Sequence, residues 1–264
     1  MNPTTARILT WNVWGRSGDW PSRRTILDTA IRDANADIIA LQETWRDGPA
    51  DQAAQLADHL GHHYVVDNPD GYDDRGLALL SRWPLTLDAV VRLPDGGAPS
   101  ENRTALAATI QTPTGAVPVY VTHLNWRLDH GAIRRHQIAA IVTHLEQRPT
   151  GPLPAVLCGD LNTTPDADEI RALTGQATLY APGIVFQDAW TCSGNTGPGH
   201  TWDHANPYAA PDRYGNVRLD YVLTQWQPHR RGRILSADLL TGDRAGTPAS
   251  DHYGVLADID LTVP

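Results

Sequence analysis

The stretch AVLCGDLN, residues 155–162, is a short apolar run that ends abruptly in a glycine, a carboxylate and an amide. A buried strand has this pattern, because apolar side chains pack inside a sheet and polar ones begin where the strand leaves it. Similar runs recur along the chain, at residues 7–13, 37–41, 77–81, 105–111, 117–123, 219–224 and 255–259. The sequence therefore predicts eight strands.

Helical spacing is found in fewer places. One segment has Ser22 as its predicted N-cap and a shared apolar face over residues 26–34, and a second has such a face over 138–145, before Pro149. A third, residues 50–60, ends at Gly61, a residue that suits a helix C-terminus. The stretch 175–218 lacks periodicity and is predicted to be a long surface loop region. Many short strands with a few helices between them indicate an α/β fold with sheets flanked by helices.

Length and charge limit the classes of function. The 264 residues are predicted to form a single domain, 1–264, and no apolar run approaches the ~20 residues of a membrane span. The 21 basic residues, all arginine, are outnumbered by 30 acidic ones, so the net charge is −9. Such a chain does not hold long nucleic acid by non-specific attraction, and any grip on phosphate must be local.

The two cysteines and the beginning of the chain bear on location. Cys158 ends an apolar run and is expected to be buried and reduced, and two cysteines are too few for a disulfide framework. The first residues lack the basic and apolar regions of a secretion signal. We therefore expect a cytoplasmic protein without integral membrane association, and the sequence shows no evident protein partner.

Polar side chains that bind or react cluster at the ends of the apolar runs. Carboxylates, amides and imidazoles of this kind are Asn12, Glu43, His123, Asp160, Asn162, Asp251 and His252, with Asp220 inside the run 218–222. One polar residue at a strand end is unremarkable, but several together are what a site at one edge of a sheet requires.

In this order and at these places, the motifs resemble those of the exonuclease–endonuclease–phosphatase superfamily, over nearly the whole chain from Asn12 to His252. The resemblance implies an α/β fold: a four-layer α/β sandwich of two mainly antiparallel sheets flanked by helices. It also implies a metal-dependent phosphoric ester hydrolase, with Mg²⁺ as the cofactor and Mn²⁺ as an alternative.

The resemblance assigns the metal to oxygen ligands. Glu43 is the principal ligand, Asn12 adds an amide oxygen, and Asp251 adds a second carboxylate, a set that a hard divalent cation prefers. Some family members have an acid where this chain has Trp14, which leaves a second metal position open.

The catalytic roles are likewise implied by the family. His252 is implied to be the general base, oriented by Asp220, while Asp160 and Asn162 are implied to face the attacking water and the phosphate. Whether His252 or Asp160 removes the water's proton stays open. His123 is expected to protonate the leaving group, as in the deoxyribonuclease and sphingomyelinase branches.

Further residues are implied to contact substrate. Asp74, in the segment 72–75, is the predicted partner of His123, although a turn rich in Asp and Gly explains that segment equally well. Tyr72, Arg103 and Trp202 are the predicted substrate-binding residues. Tryptophans near the motifs either stack on a base, line a lipid or ring pocket, or belong to the core; they are Trp11, Trp14, Trp45 and Trp126.

The sequence thus favours hydrolysis of a phosphodiester by a nuclease-like enzyme, whose partner is a phosphate-ester substrate, either nucleic acid or a small molecule. Two histidines and the segment 72–75 favour the diester. The net charge of −9 favours the first alternative, a phosphatase or phosphodiesterase for a small-molecule or lipid phosphate ester. The second alternative is a catalytically inactive phosphate-binding module.

Overall fold

The computed structural model describes residues 4–67, 75–97, 101–149, 151–210, 213–227, 231–244 and 246–262. The strands in these ranges are β1 Thr5–Asn12, β2 Ile38–Asp47, β3 Ala50–Asp51, β4 His63–Val66, β5 Arg75–Ser81, β6 Leu85–Arg92, β7 Thr104–Thr112, β8 Gly115–His123, β9 Val156–Asp160, β10 Phe186–Asp188, β11 Asp220–Gln225, β12 Arg233–Leu240 and β13 Gly254–Asp260. The helices are α1 Trp20–Ala34, α2 Gln52–Leu60, α3 Gly131–Glu146, α4 Asp168–Leu173 and α5 Ala189–Cys192, with a 3₁₀ turn at Leu128–His130.

The strands form two sheets. Sheet one has the order β12-β13-β1-β2-β5-β4, with the short β3 beside the end of β2, and sheet two has the order β10-β11-β9-β8-β7-β6. Only β1 with β2 and β8 with β9 run parallel among the described strand pairs. The predicted α/β fold with two mainly antiparallel sheets is therefore confirmed.

Alternation along the strands builds three apolar layers. In β1, Ile8 belongs to the cluster between the two sheets, whereas Leu9 belongs to the cluster beneath α1 and α2. In β9, Cys158 lies between the sheets, and Leu157 packs in the cluster that α3 covers. Helices thus cover the outer face of each sheet, as a four-layer sandwich requires.

Each of the eight predicted strands is present, and the helix boundaries differ slightly. The first helix starts at Trp20 rather than after a cap at Ser22, because Pro21 fits the first turn, where no amide donor is needed. The third predicted helix begins at Gln52, since the side chain of Asp51 caps its first turn. It ends at Gly61 in the left-handed conformation, as predicted.

The stretch 175–218 is more structured than the sequence predicts. It contains β10 and α5, and it contributes buried residues such as Trp202, which is 1% exposed. The two sheets thus bring predicted site residues from β1, β2, β8 and β9 to one end of the sandwich.

Candidate active site

Three predicted catalytic residues lie side by side in sheet two. His123 ends β8, Asp160 ends β9, and Asp220 begins the antiparallel β11; the register pairs Asp160 with both of its neighbours. Because all three positions alternate in phase with residues of the inner layer, their side chains face sheet one. Oδ2 of Asp160 lies 3.5 Å from Nε2 of His123 and 3.7 Å from Nε2 of His252.

The predicted metal ligands come from sheet one. Asn12 ends β1, Glu43 lies in β2, and Asp251 precedes β13, which pairs with β1. Nδ2 of Asn12 is 3.3 Å from Oε1 of Glu43 and 3.1 Å from Oδ2 of Asp160. Facing strand ends of two sheets therefore meet in one polar cluster.

A cavity of about 270 Å³ opens over this cluster. Its charged, amide and imidazole lining includes Asn12, Glu43, Asp67, Arg75, Glu101, Asn102, Arg103, His123, Asp160, Asn162, Arg213, Asp251 and His252. The apolar side chains that line it, within the described part of the chain, are Leu77, Trp14 and Trp126. Such a concave polar pocket holding several buried titratable groups is typical of an active site.

His252 is held from several sides. Its Nδ1 lies 2.9 Å from Oδ2 of Asp220, and its backbone carbonyl accepts a 2.9 Å hydrogen bond from the indole of Trp11. Burial alone lowers the pKa of His252, but the charges of Asp220 and Asp160 outweigh it and raise the pKa to about 10. The pair with Asp220 fixes the ring so that Nε2 faces Asp160 and the cavity.

Asp160 is the central acid of the cluster. Burial raises its pKa, and the neighbouring charge of Asp220 raises it further. Its Oδ1 accepts a 2.9 Å hydrogen bond from the backbone amide of Asn162, a residue held at φ +49°. The Asn162 side chain in turn donates to the carbonyl of Leu124 at 3.0 Å. The loop after β9 is thus folded around the carboxylate.

His123 is buried on the other side of Asp160. Burial lowers the pKa of His123 well below its usual value, and the positive charge of Arg103 lowers it further. The free protein therefore keeps this imidazole neutral near pH 7. Its predicted partner Asp74 and the predicted substrate residue Tyr72 lie outside the described residues.

Glu43 and Asp251 offer the oxygen donors that a hard cation needs. Burial, with a contribution from Glu43, raises the pKa of Asp251 to about 6. Oδ1 of Asn12 accepts one hydrogen bond from the amide of Trp14, and the second lone pair of that oxygen is available to a ligand. Two carboxylates and an amide oxygen that line one cavity fit a divalent metal ion.

A second group could also hold a metal. One ligand atom from each of Asp160, Asp220 and His252 lies within 4.8 Å of the others, and all three residues are buried. The hydrogen bond between Nδ1 of His252 and Oδ2 of Asp220 already engages two of these three residues with each other. The all-oxygen set of Glu43, Asp251 and Asn12 therefore fits Mg²⁺ better.

Arginines surround the cavity, and only one of them was predicted as a ligand. Arg103 lies beside His123 and is held by Oε2 of Glu101 at 3.3 Å. Arg75 forms an ion pair with Glu43 and donates to the Ser17 hydroxyl at 3.0 Å. Arg75, Glu101 and Arg213 also line the cavity but were not predicted as site residues. Arg75 ends the segment 72–75, in which only Tyr72 and Asp74 were given roles, whereas Glu101 and Arg213 stand in loops.

Trp202 does not line the cavity. Its ring is 1% exposed and meets the imidazole of His252 edge-on, with the ring centroids 5.0 Å apart. The geometry thus favours support of His252 over the substrate contact that the sequence predicts. The sequence could not reveal this, because the folding of the stretch 175–218 determines which tryptophan faces inward.

Comparison with known proteins agrees with this site. The model of the endonuclease/exonuclease/phosphatase family matches residues 9–252, so the chain belongs to this family of phosphoesterases. No curated protein sequence shows significant similarity to the chain. Within the described residues, no helix is both long and apolar enough to cross a membrane.

Solved structures share the fold at low identity. The catalytic domain of human Nocturnin with bound sulfate has a TM-score of 0.76 and 22% identity, covering 98% of this chain and 94% of that one. TDP2 of D. rerio complexed with single-strand DNA product has a TM-score of 0.75 and 18% identity, covering 98% and 100%. ANGEL2, described as a 2′,3′-cyclic phosphatase, has a TM-score of 0.70 and 17% identity, covering 97% and 96%.

Proposed function

We propose that this protein is a metal-dependent phosphodiesterase that hydrolyses its ester by direct attack of water. The observation that carries the proposal is the arrangement around Asp160, whose Oδ2 lies 3.5 Å from one imidazole and 3.7 Å from another at the base of one cavity. Two imidazoles flanking a carboxylate suit a reaction that needs one proton removed and another delivered.

The residues of sheet one would hold the cation. Glu43 and Asp251 supply carboxylate oxygens, and Asn12 supplies an amide oxygen. A bound divalent cation would polarise a phosphoryl oxygen as a Lewis acid. Arg103, on the opposite side of the cavity, would bind the phosphate through a planar pair of N–H donors.

Asp160 and Asp220 of sheet two, together with His252 just before β13 of sheet one, would move the protons. Nε2 of His252 and Oδ2 of Asp160 face each other across 3.7 Å, and the water's proton goes to one of these two atoms. His252 can accept it only when its imidazole is neutral, a form that the raised pKa of His252 disfavours in the free protein. Asp220 holds the other ring nitrogen of His252, so the imidazole keeps its orientation while it is charged.

His123 would deliver the second proton to the leaving oxygen. In the free protein, burial and the charge of Arg103 oppose the protonated form of His123. An anionic phosphate bound at Arg103 would offset that charge and favour protonation of the imidazole at Nε2. The acid would thus be formed when substrate is present.

A nuclease-like diester is the substrate we favour. The family contains nucleases and phosphatases, and one structural neighbour, TDP2 of D. rerio, was solved with a single-strand DNA product. A phosphatase for a small-molecule or lipid ester is the second candidate, because the net charge of −9 disfavours a long polyanion. A catalytically inactive module is disfavoured, since four of the five predicted catalytic side chains line one cavity and the fifth, that of Asp220, holds His252 from behind.

The experiment is a comparison of substrates with and without metal. Single-stranded DNA, bis-p-nitrophenyl phosphate, p-nitrophenyl phosphate and sphingomyelin are each incubated with the protein in Mg²⁺, in Mn²⁺ and in EDTA. We expect the protein to hydrolyse single-stranded DNA and bis-p-nitrophenyl phosphate, and we expect EDTA to abolish both reactions. Hydrolysis of the monoester or of sphingomyelin alone would favour the second candidate, and the absence of any metal-dependent hydrolysis would reject the proposal.

A further inference from the structure

One aromatic ring at the cavity, that of Trp126, is exposed to solvent rather than packed in an apolar cluster. Trp126 is 37% exposed, and it joins none of the apolar clusters formed by the described residues. Trp14 also lines the cavity, but its ring already packs against another aromatic ring, that of Tyr208, with the ring centroids 5.1 Å apart. An indole left exposed loses the gain in free energy from burial, so its display at a cavity indicates a ligand.

The backbone on either side of this ring is fixed. The amide of Trp126 donates to Oε2 of Glu101 at 3.1 Å, and its carbonyl accepts a 2.6 Å hydrogen bond from the hydroxyl of Tyr214. The preceding residue, Asn125, is buried and accepts a 2.7 Å hydrogen bond from the Gln137 side chain. The backbone that carries this ring is therefore held at the cavity before any ligand arrives.

Its surroundings are cationic. The guanidinium carbon of Arg213 lies 4.7 Å from the centroid of the Trp126 ring, and that of Arg127 lies 5.5 Å from it. Arg103, which lines the same cavity, shares the carboxylate of Glu101 with the Trp126 backbone. The carboxylate of Glu101 thus positions both Arg103, the predicted phosphate ligand, and the backbone of Trp126.

We propose that Trp126, flanked by Arg127 and Arg213, is a stacking platform for the nucleobase next to the scissile phosphate of a single strand. This inference rests on the proposed function and specifies its substrate class. An aromatic face among cations suits bases joined by phosphates, because the ring stacks on a base while the arginines attract the backbone. A lipid chain would need a continuous apolar wall, and within the described residues only Leu77 and two tryptophans supply apolar lining.

The test measures binding of two strands that differ only in their bases. One probe is fluorescein-labelled pentathymidylate DNA, and the other is a strand of equal length and charge built from abasic tetrahydrofuran units. Both are titrated in EDTA, where no metal-dependent cleavage occurs, and fluorescence anisotropy gives each Kd. Stacking of one base on an aromatic side chain predicts a preference of about tenfold or more for the base-bearing strand.

The variants isolate the ring. Trp126→Ala should bring the ratio of the two Kd values close to one, while Trp126→Phe should keep most of the wild-type ratio. Trp226→Ala is the matched control, because Trp226 is 53% exposed and does not line the cavity. A ratio normalises each variant to its own abasic strand, so a general loss of stability does not mimic the effect.

The outcomes separate this inference from the proposed function. Two results with the wild type would overturn the stacking role of Trp126: a ratio of the two Kd values near one, or no measurable binding of either strand. Two results with the variants would overturn it as well: an unchanged ratio in Trp126→Ala, or a ratio that falls equally in Trp226→Ala. Hydrolysis of bis-p-nitrophenyl phosphate by the wild type is measured separately in Mg²⁺. Its absence rejects the proposed function, while the binding ratio in EDTA still reports on Trp126.

Discussion

Nδ2 of Asn12 donates a 3.1 Å hydrogen bond to Oδ2 of Asp160, and this bond joins the ends of strands from two different sheets. Asn12 belongs to the proposed metal-binding side, and Asp160 to the side that moves protons. This buried amide therefore holds the two halves of the site together, alongside the pair of Asp220 and His252. This link gives the first prediction.

Asn12→Ala should lower both activity and stability. The change leaves Asp160 without this donor inside the protein, which should cost about 1–2 kcal/mol of the free energy of unfolding. Because the relative position of the two halves is lost as well, kcat should fall about tenfold or more. Urea denaturation and steady-state kinetics measure the two effects. Asn195→Ala is the control. The side-chain amide of Asn195 also bridges two segments, because it donates a 2.8 Å hydrogen bond to the carbonyl of Ala237, away from the cavity. Equal kcat in Asn12→Ala and Asn195→Ala would argue against the link.

The pair of Asp220 and His252 should behave as one catalytic unit. Asp220→Asn removes the charge that orients and stabilises the imidazolium, so we expect a large loss of kcat. Once His252 is absent, the carboxylate has nothing to orient. The double variant Asp220→Asn with His252→Ala should then be only slightly slower than His252→Ala alone. A double-variant cycle on kcat/KM measures this coupling, and full additivity of the two losses would show that the residues act independently.

The role of His123 can be separated from that of His252 by the leaving group. A p-nitrophenolate leaves without a proton, whereas a sugar alkoxide needs one. His123→Ala should therefore lose ~10²–10³-fold on an alkyl diester and less than ~10-fold on the aryl ester. His252→Ala should lose heavily on both, because attack by water is common to the two reactions. If His123→Ala loses equally on the two esters, the histidine binds phosphate and is not the acid.

A buried carboxyl below the cavity gives a prediction on pH. Asp67 accepts a 2.6 Å hydrogen bond from the amide of Leu77 in β5 and another from the Thr104 hydroxyl in β7, so it joins the two sheets. Burial raises its pKa above the usual 3.8, although both hydrogen bonds partly oppose the shift. A carboxyl with a raised folded pKa stabilises the fold most when protonated. Its contribution is complete below about pH 3.8 and is lost as the pH rises through the folded pKa.

Asp67→Asn removes this titration. The stability of the variant relative to the wild type should increase as the pH rises from about 3.8 through the folded pKa, and it should level off above that pKa. Chemical denaturation in EDTA at several pH values measures the difference. Asp47→Asn is the control, because Asp47 is largely exposed and pairs with Arg16 on the surface. If the stability of Asp67→Asn relative to the wild type does not change with pH, or falls as the pH rises, the pKa of Asp67 is not raised.

The extent to which the sequence predicts the fold depends on burial. Central strands such as β1 and β9 are buried on both faces and form continuous apolar runs, so they were predicted. The strands β6 and β12 were missed because each lies at the edge of its sheet and has exposed residues between its half-buried or buried ones. An edge strand with one solvated face lacks the continuous apolar run that marks a buried strand in a sequence.

The site was predicted where strand ends carry it, and missed where loops do. Asp160 and His123 follow apolar runs directly, so their position at a sheet end could be inferred from the sequence. Glu101 and Arg213 line the same cavity but stand in loops, and only the folded chain brings them within reach of it. The buried position of Trp202 behind His252 likewise depends on the path of a long connection.

A metal ion held by Glu43 is proposed to drive the reaction. The most direct measurement is the rate of bis-p-nitrophenyl phosphate hydrolysis as a function of Mg²⁺ concentration, for the wild type, for Glu43→Gln and for the control Asp47→Asn, with folding checked by circular dichroism. Gln keeps the shape of the side chain but lacks the charge, so Glu43→Gln should fold and lose about 100-fold or more at low Mg²⁺. Asp47→Asn should match the wild type, because the ion pair it removes lies on the surface of the same strand. Hydrolysis by Glu43→Gln at the wild-type rate in low Mg²⁺ would contradict the account.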